Sequence, residues 1–184
     1  MVKYVRETGN VDFSNMSLTD FKSMLKGNVD IPLLEDRYKT VVQISKIVNE
    51  KMNGSFYEYI KDVTTDKELF DIIVTNFETF KDERTYAGKT IYFYKLAQLL
   101  ISDILHIREE LENIKVDYSN LVGCADYRIP QTLRALEIVN YNEELANLVD
   151  NKKEITISSE YEVEIRASQI VVLTYIKNHL ESGE

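Results

Sequence analysis

Apolar residues recur along most of the chain at intervals of three and four, the spacing that gathers them on one side of an α-helix. Ser17, a residue type that caps helix starts, precedes Phe21, Met24 and Leu25, which predict a short helix stopped by Gly27 and Asn28. Pro32 opens a second helix, carried by Tyr38, Val41, Val42, Ile44, Ile47 and Val48 to about Glu50 and broken at Asn53-Gly54. Shorter helices are expected at 56–60 and, behind the cap candidate Thr65, at 67–77, with a loop over 79–89. The longest stripe, Phe93, Ala97, Leu100, Ile104, Ile107 and Leu111, predicts a helix over about 91–113 running through the core.

The pattern breaks after Asp117-Tyr118 and resumes at Pro130, which suits the first turn of a helix reading Gln131-Thr132-Leu133-Arg134-Ala135-Leu136. A short helix over 142–149 follows. The last starts at Ser159, whose spacing to Glu162 matches a capping box, and runs to about Leu180. Its middle, Ile170 to Leu173 with Ile176, is almost wholly apolar and reads as buried. The expected class is therefore all-α.

Composition narrows the picture. With 184 residues, 44% of them hydrophobic, two prolines and six glycines, a single domain spanning 1–184 is expected. No stretch approaches the roughly 18 apolar residues of a membrane span, and Met-Val-Lys-Tyr-Val-Arg-Glu lacks the apolar run of a secretory signal, so a cytoplasmic protein is expected. One cysteine, Cys124, rules out an intramolecular disulfide and a multi-cysteine zinc site. His106 and His179 lie far apart without ligand-like neighbours, so neither a metal nor another cofactor is expected. A net charge of −9 spread along the chain offers no basic footprint for nucleic acid, although one or two basic residues suffice for a single phosphate.

The segment Gly123-Cys124-Ala125-Asp126-Tyr127-Arg128 compresses a glycine, a thiol, a carboxylate and an arginine ahead of the proline-started helix. Small residues there let the backbone approach a ligand, and the free amides of a helix start favour anionic groups. Asp126 is readable as a functional carboxylate or as a plain helix cap or partner of Arg128. Tyr127 fits a core aromatic as well as a ligand contact, and Cys124 fits a small buried apolar residue. Lys95, Gln98 and Ser102 share one helix face, which periodicity alone makes a solvated stripe. Glu160, Glu162, Glu164 and Arg166 read as a dipole-matched structural cluster, and Asp82 as a turn residue or a loop carboxylate.

Three motifs in order carry a resemblance. Phe93-Tyr94-Lys95-Leu96-Ala97-Gln98 resembles the Phe-Tyr-Lys-Arg-Ala-Gln helix of the queuosine salvage family. Cys124 to Gln131 resembles that family's Phe-Ala-Asp-Tyr-Arg-Val-Pro-Gln signature, and Glu162 to Arg166 its Glu-Val-Glu-Ile-Arg. Phe77 to Asp82 and Tyr86 to Lys89 are similar to the stretch before the lysine helix, so the resemblance covers most of the chain.

The resemblance implies an all-helical fold related to DNA glycosylases and hydrolysis of queuosine 5′-monophosphate to queuine and ribose 5-phosphate. It implies Asp126 as the catalytic carboxylate facing the anomeric carbon and Lys95 as the ligand of the 5′-phosphate. Cys124 stands where the family has an aromatic lining the queuine pocket, with Tyr127 and Arg128 shaping or bracing it. The implied partner is a small molecule, without direct nucleic-acid or membrane binding; the oligomeric state stays open. Leu96 departs from the family's arginine, the chain holds no tryptophan, and typical members are longer at both ends. A short or truncated member is expected, the alternative being a non-catalytic or partner-dependent fragment that binds the nucleotide. A true nucleic-acid glycosylase is disfavoured by the acidic charge.

Overall fold

A computed structural model describes residues 1–183. The chain is mostly helical with one small antiparallel hairpin, so the all-α expectation holds only approximately. Its contacts divide into two compact units, Met1–Val63 and Thr64–Glu184.

The first unit holds α1 (Val2–Thr8), α2 (Leu18–Met24), α3 (Leu34–Lys51) and α4 (Phe56–Ile60). Ser17 caps α2 as expected, its hydroxyl accepting the Asp20 N–H at 3.1 Å. Phe21 is buried against Tyr38, ring centroids 5.6 Å apart, while the Tyr38 hydroxyl donates to the Met16 carbonyl at 2.9 Å. The α3 start lies at Leu34 instead of Pro32, because Leu33 takes a left-handed conformation (φ 55°) between them. Helix α1 has no buried residue and so left no amphipathic stripe to read.

The second unit holds α5 (Asp66–Asn76), a 3₁₀ turn (Glu78–Phe80), β1 (Glu83–Tyr86), β2 (Lys89–Tyr92), α6 (Lys95–Glu112), α7 (Ile129–Ala135), α8 (Glu143–Asp150) and α9 (Glu160–Ser182). Thr65, Asn142 and Ser159 cap α5, α8 and α9 through their side chains. Leu69 and Ile73 of α5 and Ala97, Ile101 and Leu105 of α6 are buried, as are Phe93, Ala125 and Val163. The expected loop over 79–89 is instead a hairpin in which Glu83 pairs with Tyr92 and Tyr86 with Lys89. Ala87 and Gly88 both have positive φ, the geometry a two-residue turn needs to match strand twist. Residues 91 and 92 therefore belong to β2, and α6 begins at Lys95, not near Ile91. The junction is fixed by the Asp82 carbonyl, which accepts the N–H groups of Phe93 (2.9 Å) and Tyr94 (3.3 Å).

Two further expectations are corrected. The buried stripe of α6 is Ala97, Gln98, Ile101, Leu105 and Arg108, about one residue out of phase with the stripe read from the sequence. Ile107 and Leu111 are 54% and 80% exposed. Gln98 can occupy the core because its amide donates to the Phe93 carbonyl (3.0 Å) and accepts the Val122 N–H (2.9 Å). In α9 the buried side chains are Glu162, Val163, Arg166 and Gln169 near its start, whereas the apolar Val171 and Ile176 are exposed. Ion pairing and hydrogen bonding put polar groups inside there, an arrangement that apolar periodicity cannot reveal. Helix α7 begins at Ile129, one residue before Pro130, which sits in its first turn.

Candidate active site

Residues 121–128 lead into α7 and lie on α9. Gly123 makes the approach possible: a Cβ there would stand 2.2 Å from Leu173 Cδ1 and 2.7 Å from Leu173 Cβ. The next two carbonyls are taken by α9. Gln169 Nε2 donates to Cys124 O, and Arg166 Nε donates to Ala125 O at 3.2 Å. Asp126 follows directly, with its side chain turned to the start of α6.

There Lys95 Nζ donates to Asp126 Oδ2 in an ion pair, side chains 21% and 29% exposed. Asp126 Oδ1 accepts the Arg128 N–H at 2.7 Å, a turn closed by the aspartate on the residue two further on. The Lys95 hydrogen bond, then the Arg128 amide, hold the Asp126 carboxyl below the usual aspartate range. Helix α7 has no side-chain cap, so Asp126 is not the plain helix cap that the sequence left open. Lys95 and Gln98 are likewise not a solvated stripe: one pairs with Asp126 and the other is buried.

The other expected site residues lie around this pair in different ways. Tyr127 is half exposed, its ring centroid 5.8 Å from Lys95 Nζ and its hydroxyl donating to Glu162 Oε1 at 3.1 Å. Burial, then the Glu162 charge, push its phenol up. Cys124 is partly buried, and that burial raises its thiol, which keeps it protonated at neutral pH. Arg128 is exposed and contributes its amide to Asp126.

Beside the pair stands a denser charge network. Arg166, 2% exposed, forks onto Asp82, with Nη1 3.0 Å from Oδ1 and Nη2 bonded to Oδ2, and Nη1 also reaches Glu162 Oε1 at 3.1 Å. Its guanidinium lies 4.0 Å from the Phe93 ring centroid. Burial works against Asp82 ionising, but the Arg166 hydrogen bonds and charge, with Arg84, outweigh it and hold that carboxyl low. Arg84 stands 3.3 Å from Asp82 and 3.5 Å from Glu162. Three carboxylates, Asp82, Asp126 and Glu162, thus face three cations, Arg84, Lys95 and Arg166.

A depression of ≈ 320 Å³ is lined by Lys81, Asp82, Arg84, Lys95, Tyr127 and Arg166. Among the described residues no His, Cys, Asp and Glu group is arranged to hold a metal ion. From the sequence, Glu162 and Arg166 read as part of a dipole-matched structural cluster and Asp82 equally as a turn residue or a loop carboxylate, while Arg84 and Gln169 carry no signal. The one signal was the Glu-Val-Glu-Ile-Arg motif itself, whose partners are distant in sequence.

A helical unit in which a lysine lining an open depression pairs with an ionised carboxylate has the makings of a small-molecule enzyme site. A sequence model described as Queuosine salvage protein matches residues 6–184, and the chain belongs to that family. It is 32% identical to a Queuosine 5'-phosphate N-glycosylase/hydrolase of Mus musculus over 180 residues, 94% of this chain and 53% of that one. Proteins of the same description from Dictyostelium discoideum and Sphaerobacter thermophilus are each 32% identical, over 84% and 89% of this chain and 49% and 51% of their own. The chain spans about half the length of the curated relatives it matches.

Proposed function

We propose that this chain carries the catalytic centre of a queuosine 5′-monophosphate N-glycosylase, which adds water across the glycosidic bond to give queuine and ribose 5-phosphate. The queuine would feed tRNA modification. One observation carries the proposal: the family-signature carboxylate, Asp126, is held ionised by the family-motif lysine, Lys95, which itself lines an open depression.

Scission of the C–N bond leaves positive charge on the sugar ring, and an ionised carboxylate beside the anomeric carbon stabilises it while water forms the new C–O bond. A 7-deazaguanine lacks the N7 that purines can protonate, so help at the sugar matters more. Lys95 is assigned to the 5′-phosphate, a remote group whose binding seats the anomeric carbon against Asp126. In the free protein Lys95 rests on Asp126, so the incoming phosphate draws the ammonium away and leaves the carboxylate facing the sugar. Cys124, Tyr127 and Arg128 are assigned to shaping the base side.

The family match runs through both compact units, which supports treating 1–184 as a single domain of this family. We take its fold to be related to that of the DNA glycosylases and its partner to be a small nucleotide, consistent with the −9 charge. No helix of the described residues is long and apolar enough to cross a membrane. The free thiol of Cys124 suits the reducing cytoplasm, where we assign the activity.

The test is incubation with queuosine 5′-monophosphate, following free queuine and bound nucleotide together. Hydrolysis by the parent and a loss of at least about 10²–10³-fold in Asp126→Asn are expected. Near-parental turnover in Asp126→Asn refutes the assignment. Binding without release by the parent favours the alternative, a protein that binds the nucleotide without turnover.

A further inference from the structure

Arg166 is a buried charge, and burying one has a desolvation cost that apolar packing would avoid. Its contacts indicate what that charge secures. Nε holds the Ala125 carbonyl, which belongs to the peptide unit leading directly into Asp126. The fork of Nη1 and Nη2 holds Asp82. Asp82 in turn fixes the start of α6: its carbonyl accepts the Phe93 and Tyr94 amides, and its Oδ2 lies 3.4 Å from the Lys95 amide nitrogen. Gln169, three residues on and so on the same face of α9, takes the preceding carbonyl, Cys124 O.

We propose that Arg166 is the positioning residue of the site: one guanidinium sets the backbone of Asp126 through Ala125 and that of Lys95 through Asp82, and so fixes the geometry between the two. The inference rests on the functional assignment of Asp126 and Lys95. Arginine is required because its planar fork bonds a carboxylate with two parallel N–H groups while Nε points elsewhere. A lysine keeps the charge but cannot hold Asp82 and Ala125 together in that geometry. Phe93 supports the guanidinium plane from one face, which keeps the fork from rotating.

The test compares Arg166→Lys with the parent in two ways. In steady-state hydrolysis of queuosine 5′-monophosphate, kcat falls about 10²-fold with KM within about threefold, because the binding groups remain and their alignment with the sugar is lost. The second readout needs no activity: Cys124, the one thiol of the chain, reports on the same loop. Native-state labelling of Cys124 by a thiol reagent is expected to accelerate at least tenfold in Arg166→Lys, at a temperature where circular dichroism shows both proteins folded. If Arg166→Lys does not fold, Asp82→Asn, which weakens the fork but keeps an acceptor, is expected to show the same two changes at smaller size. Unchanged labelling in the folded variant overturns the positioning role, as does a kcat within threefold of the parent. A parent that fails to hydrolyse the nucleotide refutes the enzyme assignment instead, and labelling still decides whether Arg166 holds the loop.

Discussion

Substituting Gly123 with alanine tests how closely the Asp126 loop must approach α9. The new Cβ would stand 2.2 Å from Leu173 Cδ1, 3.0 Å from Cγ and 2.7 Å from Cβ. The first two atoms can swing away with the side chain, but Leu173 Cβ is fixed to the helix backbone. Opening 2.7 Å to an ordinary carbon–carbon contact of about 3.6 Å requires a shift of roughly 1 Å. Helix α9 is anchored by Arg166 and Gln169, so the loop yields, and Asp126 lies three residues on. Overpacking of this kind costs about 1–3 kcal/mol, which lowers the thermal midpoint by several degrees. A misplacement of that size near the chemistry lowers turnover by about 10²-fold. Adding Leu173→Ala removes the clashes with Cδ1 and Cγ but not the one with Cβ, so the double variant recovers only part of both losses. Calorimetry and queuine release measure the two effects. A Gly123→Ala protein with the parental midpoint and parental turnover would refute the close-packing account.

Two other substitutions follow from the same geometry. Gln98→Leu leaves the Phe93 carbonyl and the Val122 amide without their partner, at about 1–3 kcal/mol each, so a clear fall in the urea midpoint is expected despite the more apolar side chain. Lys95→Met removes the main influence holding the Asp126 carboxyl low, so that group climbs back toward 3.8 and the acid limb of kcat/KM moves to higher pH. Because the folded carboxyl is depressed, its stabilising contribution is present above 3.8 and is lost as pH falls through the folded value. The stability difference between Lys95→Met and the parent should therefore be widest near neutrality and close in acid. Loss of the proposed phosphate contact adds an increase of about 10–100-fold in KM.

Local signals carried the helices well. Ser17, Thr65 and Ser159 were read as caps from residue type and position, and each accepts the expected backbone amide. The hairpin was hidden because Glu-Arg-Thr-Tyr and Lys-Thr-Ile-Tyr are four residues each, largely polar, and joined by Ala-Gly where a stronger turn signal would be Asn-Gly. The phase of α6 was misread because Gln98 and Arg108 face inward, and a hydrophobicity pattern counts both as surface. For the site, Lys95 and Asp126 stood out through their motifs, and the fold pairs them. Arg166 and Asp82 did not, since an i,i+4 acid–base pair on a helix usually marks a solvated face. What buries Arg166 is a carboxylate 84 positions away, and no local window contains both.

The charge balance of the cluster bears on why a phosphate on the substrate would matter to catalysis and not only to affinity. The three carboxylates and three cations of the cluster balance one another, in a chain already at −9, while Lys81, paired with Glu78, also lines the depression and Arg128 stands beside Asp126. A phosphate that binds a lysine or arginine of the cluster draws it from an ion pair already formed. Arg166 is a poor donor, because turning it away would remove the guanidinium hydrogen bonds from both Asp82 and Glu162 in a buried place. Lys95 sits on a flexible stem at the rim, and Arg84 on the same depression has a buried Nε without a hydrogen-bond partner. The energetically cheap exchange moves Lys95 from Asp126 to the phosphate. On the proposed reaction, that exchange bares the carboxylate just as the sugar arrives, so the phosphate enables the step that Asp126 performs. A nucleoside without the phosphate leaves the ion pair closed and meets a neutralised carboxylate, which places the discrimination in kcat as well as in KM.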